Sequence, residues 1–185
     1  MPCEQNLEGL IREVQLGSVV IQNEKFTFML ESIPLPSTRS VMRYETKNSF
    51  NRTFYVIEHN PELDIIDTLW YGYASQNDLR AAMEVGLKVL EETNCAYKLN
   101  DNIAFNGPWA EAVKWLEKDW LPRAMQAGLR FLAHVASPHS FGEASGEAME
   151  VSLIGQKLKY KMFRSRQEAL DWLKACQEEQ VAIGQ

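Results

Sequence analysis

Asp101, Asn102, Asn106 and Gly107 form the stretch of this sequence with most to offer chemically. They follow a short segment expected to be an inner strand (96–100) and precede Pro108 and Trp109, where a helix is expected to start. In open α/β sheets, ligands bind beyond the carboxyl ends of the strands, and the free N–H groups of a helix start attract anions or polar head groups. Asp101, Asn102, Asn106, Gly107 and Trp109 are therefore the candidate ligand- or partner-binding residues. The same Asp and Asn side chains serve equally well as helix caps and turn formers, and Asp101 can do both.

A catalytic reading would pair Asp101 with His139, because both are expected just past strand ends, in an acyl or phosphate-ester hydrolase. No Ser or Cys nucleophile stands in 101–107, and no nucleophile-elbow string occurs anywhere in the chain. The reading therefore favours a protein that is not an enzyme. His134, His139 and Glu143 are spaced too loosely for a metal site, His134 falls inside a buried-strand pattern, and no cysteine is near, so neither a metal nor a cofactor is expected. His59 falls in an expected turn. Lys157, Lys159, Lys161, Arg164 and Arg166 read as a solvated edge, with an anionic partner as the alternative.

These residues need a scaffold, and the chain from residue 53 onward supplies one. The β-rich runs 53–58 and 63–74 flank the turn cluster His59-Asn60-Pro61-Glu62, which predicts an antiparallel hairpin. Leu79, Met83, Leu87 and Leu90 share one helical face behind the capping residues 75–78, predicting a helix over 77–92. Trp109, Val113, Leu116 and Trp120 form the stripe of the next helix. That aromatic stripe reads first as core, while Trp115, off the stripe, and a kink at Pro122 leave room for an apolar pocket or a partner surface. A nearly continuous apolar run at 129–136 predicts a buried parallel strand, followed by a weaker helix over 141–154. Residues 157–162 alternate lysine with Leu158, Tyr160 and Met162, as in an edge strand, and Ser165 with Glu168 caps a final helix docked by Ala169, Leu170 and Leu173. The expected fold is α/β: a mostly parallel sheet of about five strands with an antiparallel first strand, wound by successive β-α units. Residues 46–178 form that domain, 1–45 an N-terminal extension with a ribbon within 19–30 and a Pro34/Pro36 linker, and 179–185 a tail.

Composition narrows the partners. The 185 residues carry a net charge of −6, the wrong sign for a chain that lives on nucleic acid or anionic lipid. No apolar run is long enough for a membrane span or a secretory core, and Cys3, Cys95 and Cys176 are widely spaced without a C-x-x-C. A cytoplasmic protein with reduced thiols is expected.

Several strings resemble the SpoIIAA-like or STAS-type domains, in particular their bacterial STAS/SEC14 variant. They are Trp70-Tyr71-Gly72-Tyr73, the Asp101-Asn102 pair with Gly107 beyond it, Trp120-Leu121-Pro122-Arg123-Ala124, Gly128, and Glu168-Ala169-Leu170-Asp171-Trp172-Leu173, spread over residues 50–175. The resemblance implies a sheet wound by β-α units with a functional loop after the third strand, and some STAS-like domains imply binding of nucleotides or lipophilic ligands. Family members that antagonise anti-sigma factors carry a phosphorylated Ser at that loop. Here residues 102–109 contain no Ser or Thr, so that switch is not carried over. The leading expectation is a non-catalytic regulatory or protein-interaction module. The alternative is a carrier or sensor of a small lipophilic or anionic ligand held between the middle helices and the sheet.

Overall fold

Met42, Tyr44 and Thr46 alternate with Arg43, Glu45 and Lys47, and this period of two makes strand β1 (Met42–Lys47), half-buried on one face and exposed on the other. The computed structural model describes residues 41–107 and 110–183. The expected ribbon, the Pro34/Pro36 linker and Trp109 lie outside them. Strand β1 begins inside the segment read from sequence as an extension, and it pairs antiparallel with β2 (Thr53–Asn60) from Met42↔His59 to Lys47↔Thr53. Asn48 holds the intervening turn: its Oδ1 accepts from the N–H groups of Phe50 and Arg52 at 3.0 and 3.1 Å.

Strand β3 (Ile65–Gly72) returns antiparallel to β2. In the turn between them, Asn60 Oδ1 accepts from the N–H groups of Glu62 and Leu63, and Asp64 adopts a left-handed backbone with φ 49°. Helix α1 (Gln76–Thr93) starts at the expected cap as a full capping box between Ser75 and Asp78. Strand β4 (Tyr97–Phe105) follows, then α2 (Ala110–Trp115), a π-helical turn over Leu116–Trp120, and α3 (Leu121–Gln126). The expected disturbance at Pro122 is thus a change of helical pitch just ahead of the proline. Leu121 N–H reaches back to Leu116 O, five residues away, where a regular helix would reach four. Strand β5 (Phe131–Val135), helices α4 (Phe141–Val151) and α5 (Leu153–Lys157), strand β6 (Lys159–Phe163) and helix α6 (Arg166–Ile183) complete the order, with α6 running past the expected boundary at residue 178.

The sheet has six strands in the order β1-β2-β3-β4-β5-β6, antiparallel from β1 to β3 and parallel from β3 to β6. The expected α/β sheet, mostly parallel with its 53–58 strand running against the rest, holds, but it has six strands rather than about five, because β1 adds a strand beside β2. Because each parallel strand lies beside its predecessor, successive crossovers stack their helices on one face. That face carries Tyr55, Trp70, Lys98 and His134 against α1 to α5, while α6 crosses the other face, where Trp172 meets Phe163. Edge strand β6 exposes Lys159 and Lys161 as expected, with Lys159 paired to Glu179 of α6, but Lys157 closes α5 instead of opening the strand.

Candidate functional site

Strand β4 does not end at Asn100. It goes on pairing with β3, across a one-residue bulge just past Leu69↔Asp101, through Tyr71↔Ala104 and Gly72↔Phe105, so Asp101 and Asn102 are strand residues, both buried. Pairing with a neighbouring strand outweighs the turn preference of Asp and Asn here, and the expected open loop ahead of a helix is corrected accordingly. Consecutive strand residues face opposite ways, so the two side chains part. Asn106 is exposed, its N–H donating to Gly72 O at 2.7 Å, and Gly107 is buried so tightly that a Cβ there would lie 2.6 Å from Phe105 Cζ. The sequential strand order also contains no reversal, and hence none of the crevices that form at one.

Asp101 points toward α6. Its Oδ1 accepts from Ile103 N–H at 2.9 Å and its Oδ2 from Arg166 Nη1 at 2.9 Å. Arg166 Nη2 donates to Asp67 on β3, so one guanidinium from the start of α6 joins two strands, and Asp101 takes Arg166 rather than His139 as its partner. Burial raises the Asp67 carboxyl above its ordinary range despite Arg166. Arg166→Met leaves the two carboxylates facing each other and is expected to cost about 1–2 kcal/mol at neutral pH, discounted because the guanidinium is about one-third exposed. Since protonating Asp67 removes the repulsion, the deficit in urea unfolding shrinks as the pH is lowered.

Asn102 faces the helices, as do Thr68, Asn100 and His134, which stand in one row across β3, β4 and β5. Trp70 Nε1 donates to Asn100 Oδ1 at 2.8 Å, and Thr68 Oγ1 lies 3.0 Å from the same oxygen. The Asn100 amide nitrogen is thereby turned toward His134 Nδ1 at 3.1 Å. His134 Nε2 is 2.9 Å from Gly142 O, which can only accept, so Nε2 carries the ring proton and Nδ1 is the acceptor. Burial pushes the imidazole down to about 4, and the ring is neutral.

Lys98 lies two residues before Asn100 on this face. Its residue exposure is 2%, its ammonium sits 5.2 Å from the Trp120 ring centre, and no carboxylate pairs with it among the described residues. Burial pushes its pKa down to about 8. A small cavity of about 30 Å³ adjoins it, lined by Met83, Asn100, Leu116, Trp120, Leu132, Met149 and Ile154. Two of these walls, Leu116 and Trp120, open and close the π-helical turn, and Trp120 Nε1 is anchored on Met83 O at 3.0 Å. A Cβ built on Gly86 of α1 would lie 3.0 Å from Tyr55 Oη and 3.9 Å from Lys98 Nζ, so a bare patch of helix backbone makes room for both polar termini.

Lys98 is not singled out by its sequence context, because a short strand over 96–100 does not by itself show which way each residue faces. The signal comes with the sheet: a lysine between Tyr97 and Leu99 on an inner strand covered on both faces is largely withdrawn from water.

The chain matches no family model, no curated protein and no solved structure. The class it defines is an α/β protein with a six-stranded mixed sheet. Among the described residues, no helix is long and apolar enough to cross a membrane.

Proposed function

We propose that this protein is a carrier or sensor of a small anionic ligand, a short-chain monocarboxylate, held under the π-helical turn with its carboxylate on Lys98. The observation that carries the reading is a buried ammonium without an acidic partner, facing a small cavity. An ionised amine taken out of water is unfavourable unless something compensates it, and a bound carboxylate supplies the missing charge. The cavity volume, about 30 Å³, corresponds to only a few atoms, which limits the apolar tail to a short one. Met83 and Met149 are the adaptable walls. The absence of a nucleophile-elbow string and of an export segment supports a non-catalytic role in the cytoplasm, with the ligand as the signal.

Calorimetric titration with acetate, propionate and butyrate tests this, with chloride at matched ionic strength as the control. Saturable binding by the wild type and none by Lys98→Met is the expected result. Equal binding by both proteins, or no saturable binding of any of the three acids, overturns it.

A second reading, a protein-interaction module, is favoured by one feature. Phe50, Tyr71 and Tyr73 are exposed around a groove of about 610 Å³, at the sheet end where Asn106 donates to Gly72 O. Native mass spectrometry separates the two readings. A retained small mass lost in Lys98→Met supports the carrier, whereas a bound chain lost in Tyr73→Glu and kept in Lys98→Met supports the module.

A further inference from the structure

His59, Asp64 and Cys95 come from three separate places: the end of β2, the β2–β3 turn and the loop before β4. Their ligand atoms nonetheless lie within 4.8 Å of one another. His59 and Cys95 are buried, and Asp64 is exposed. Two features distinguish this cluster from ordinary packing. His59 Nε2 is buried and has no hydrogen-bond partner, although the residue is only 7% exposed. Its nearest acidic atom, Asp64 Oδ1, is 3.6 Å away, too far for a good hydrogen bond. That separation suits a shared metal. With metal bonds of about 2.0 Å to N and O and about 2.3 Å to S, the edges of a tetrahedral zinc site are roughly 3.3–3.6 Å. The left-handed backbone at Asp64, φ 49°, turns that residue back toward the end of β2.

We propose that His59 Nε2, Asp64 Oδ1 and Cys95 Sγ bind one zinc ion, with the fourth position open to solvent beside Asp64. Imidazole, carboxylate and thiolate in one tetrahedral set select zinc over the hard, oxygen-seeking cations. Binding breaks the Cys95 S–H bond and forms a Zn–S bond. The proton passes to solvent, and no group changes oxidation state. The Cys95 S–H is shared between the carbonyls Asp64 O at 3.2 Å and Tyr97 O at 3.3 Å, which holds the sulfur where the turn meets β4, and metal binding exchanges that hydrogen bond for the Zn–S bond. The ion joins the β2–β3 hairpin to the start of β4, beneath the end of α6, where Gln177 Nε2 donates to Leu63 O at 2.8 Å.

Cobalt(II), which takes the same tetrahedral geometry and absorbs light, is the probe. Titrated into the full-length, metal-free chain, it is expected to produce a thiolate-to-cobalt charge-transfer band that saturates at one equivalent and is abolished by zinc. Zinc is also expected to raise the melting temperature. Cys95→Ser removes the band and Cys176→Ser leaves it unchanged. Asp64→Asn, which the left-handed backbone tolerates and which keeps the fold, weakens binding about tenfold or more. The absence of a band in the wild type, or a band that survives in Cys95→Ser, overturns the proposal. Should Cys95→Ser fail to fold, an undiminished affinity in Asp64→Asn overturns it equally.

Discussion

Lys98→Met is expected to stabilise the protein by about 2 kcal/mol at pH 7 while abolishing carboxylate binding. Methionine has nearly the length of lysine and no charge, so it fills the space beside Trp120 without the desolvated ammonium. The size follows from linkage. Lys98 has its proton affinity lowered from 10.5 to about 8 on folding, which corresponds to about 3 kcal/mol. Below pH 8 both folded and unfolded chains hold the proton, and the folded state carries the whole penalty. Between about 8 and 10.5 the unfolded chain holds a proton that the folded chain has released, so wild-type stability rises with pH across that window. Loss of the contact with the Trp120 ring takes back about 1 kcal/mol. Urea unfolding of both proteins from pH 7 to pH 10 should show the advantage of the variant shrinking toward zero. A variant less stable than wild type throughout that range would mean that the ammonium is already compensated, and the ligand reading would lose its foundation. A residue that destabilises the apo fold and is compensated on binding is what a ligand site requires.

Asn100→Ala is expected to destabilise by about 3–4 kcal/mol, the largest loss for a single polar side chain here. Asn100 accepts from Trp70 Nε1 and donates to His134 Nδ1, and Thr68 Oγ1 leans on the same oxygen. Alanine removes the acceptor that the indole uses and the donor that the imidazole uses, each worth about 1–3 kcal/mol when buried, and it enlarges the cavity under Trp120. Asn100→Asp separates these effects. It keeps an acceptor for Trp70 but offers His134 Nδ1 no proton, so the ring gains by becoming protonated. In the wild type His134 is pushed from 6.5 to about 4, so as the pH falls through that interval the unfolded chain takes up a proton that the folded chain refuses, and stability is lost. In Asn100→Asp an imidazolium beside the new carboxylate reverses the sign, and acid sensitivity between pH 6.5 and 4 is expected to diminish. Chemical unfolding followed by tryptophan fluorescence at pH 7, 6 and 5 reads both effects. A wild-type-like acid profile in the aspartate variant would show that Asn100 does not control the ring.

Much of the architecture was legible residue by residue. Ser75 and Asp78 announce the start of α1 because a capping box uses groups three positions apart. Asn60 and Pro61 announce the β2–β3 turn, and the alternating lysines near residue 160 announce an edge. Strand β1 carries an equally clear period of two at 42–47, but it begins inside the segment whose Pro34 and Pro36 read as a linker. The candidate site was legible only in part. Asp101 and Asn102 were found, but their turn-forming chemistry suggested a loop, whereas β3 extends its ladder past them. Nothing in the spacing of His59, Asp64 and Cys95, or in the position of Lys98, marks them as sites along the chain.

The sequence by itself determined the helices α1 and α6 with their caps, the β2–β3 turn, and that β-α-β links build a parallel sheet, because those features depend on neighbours within a few positions along the chain. Only the tertiary structure decided that Asp101 meets Arg166 across 65 residues, that Lys98 is sealed beneath Trp120, and that His59 and Cys95 converge on one turn. Such contacts depend on the register between strands and on which face each helix covers. Both are set by long-range pairing and burial, which short-range propensity does not encode.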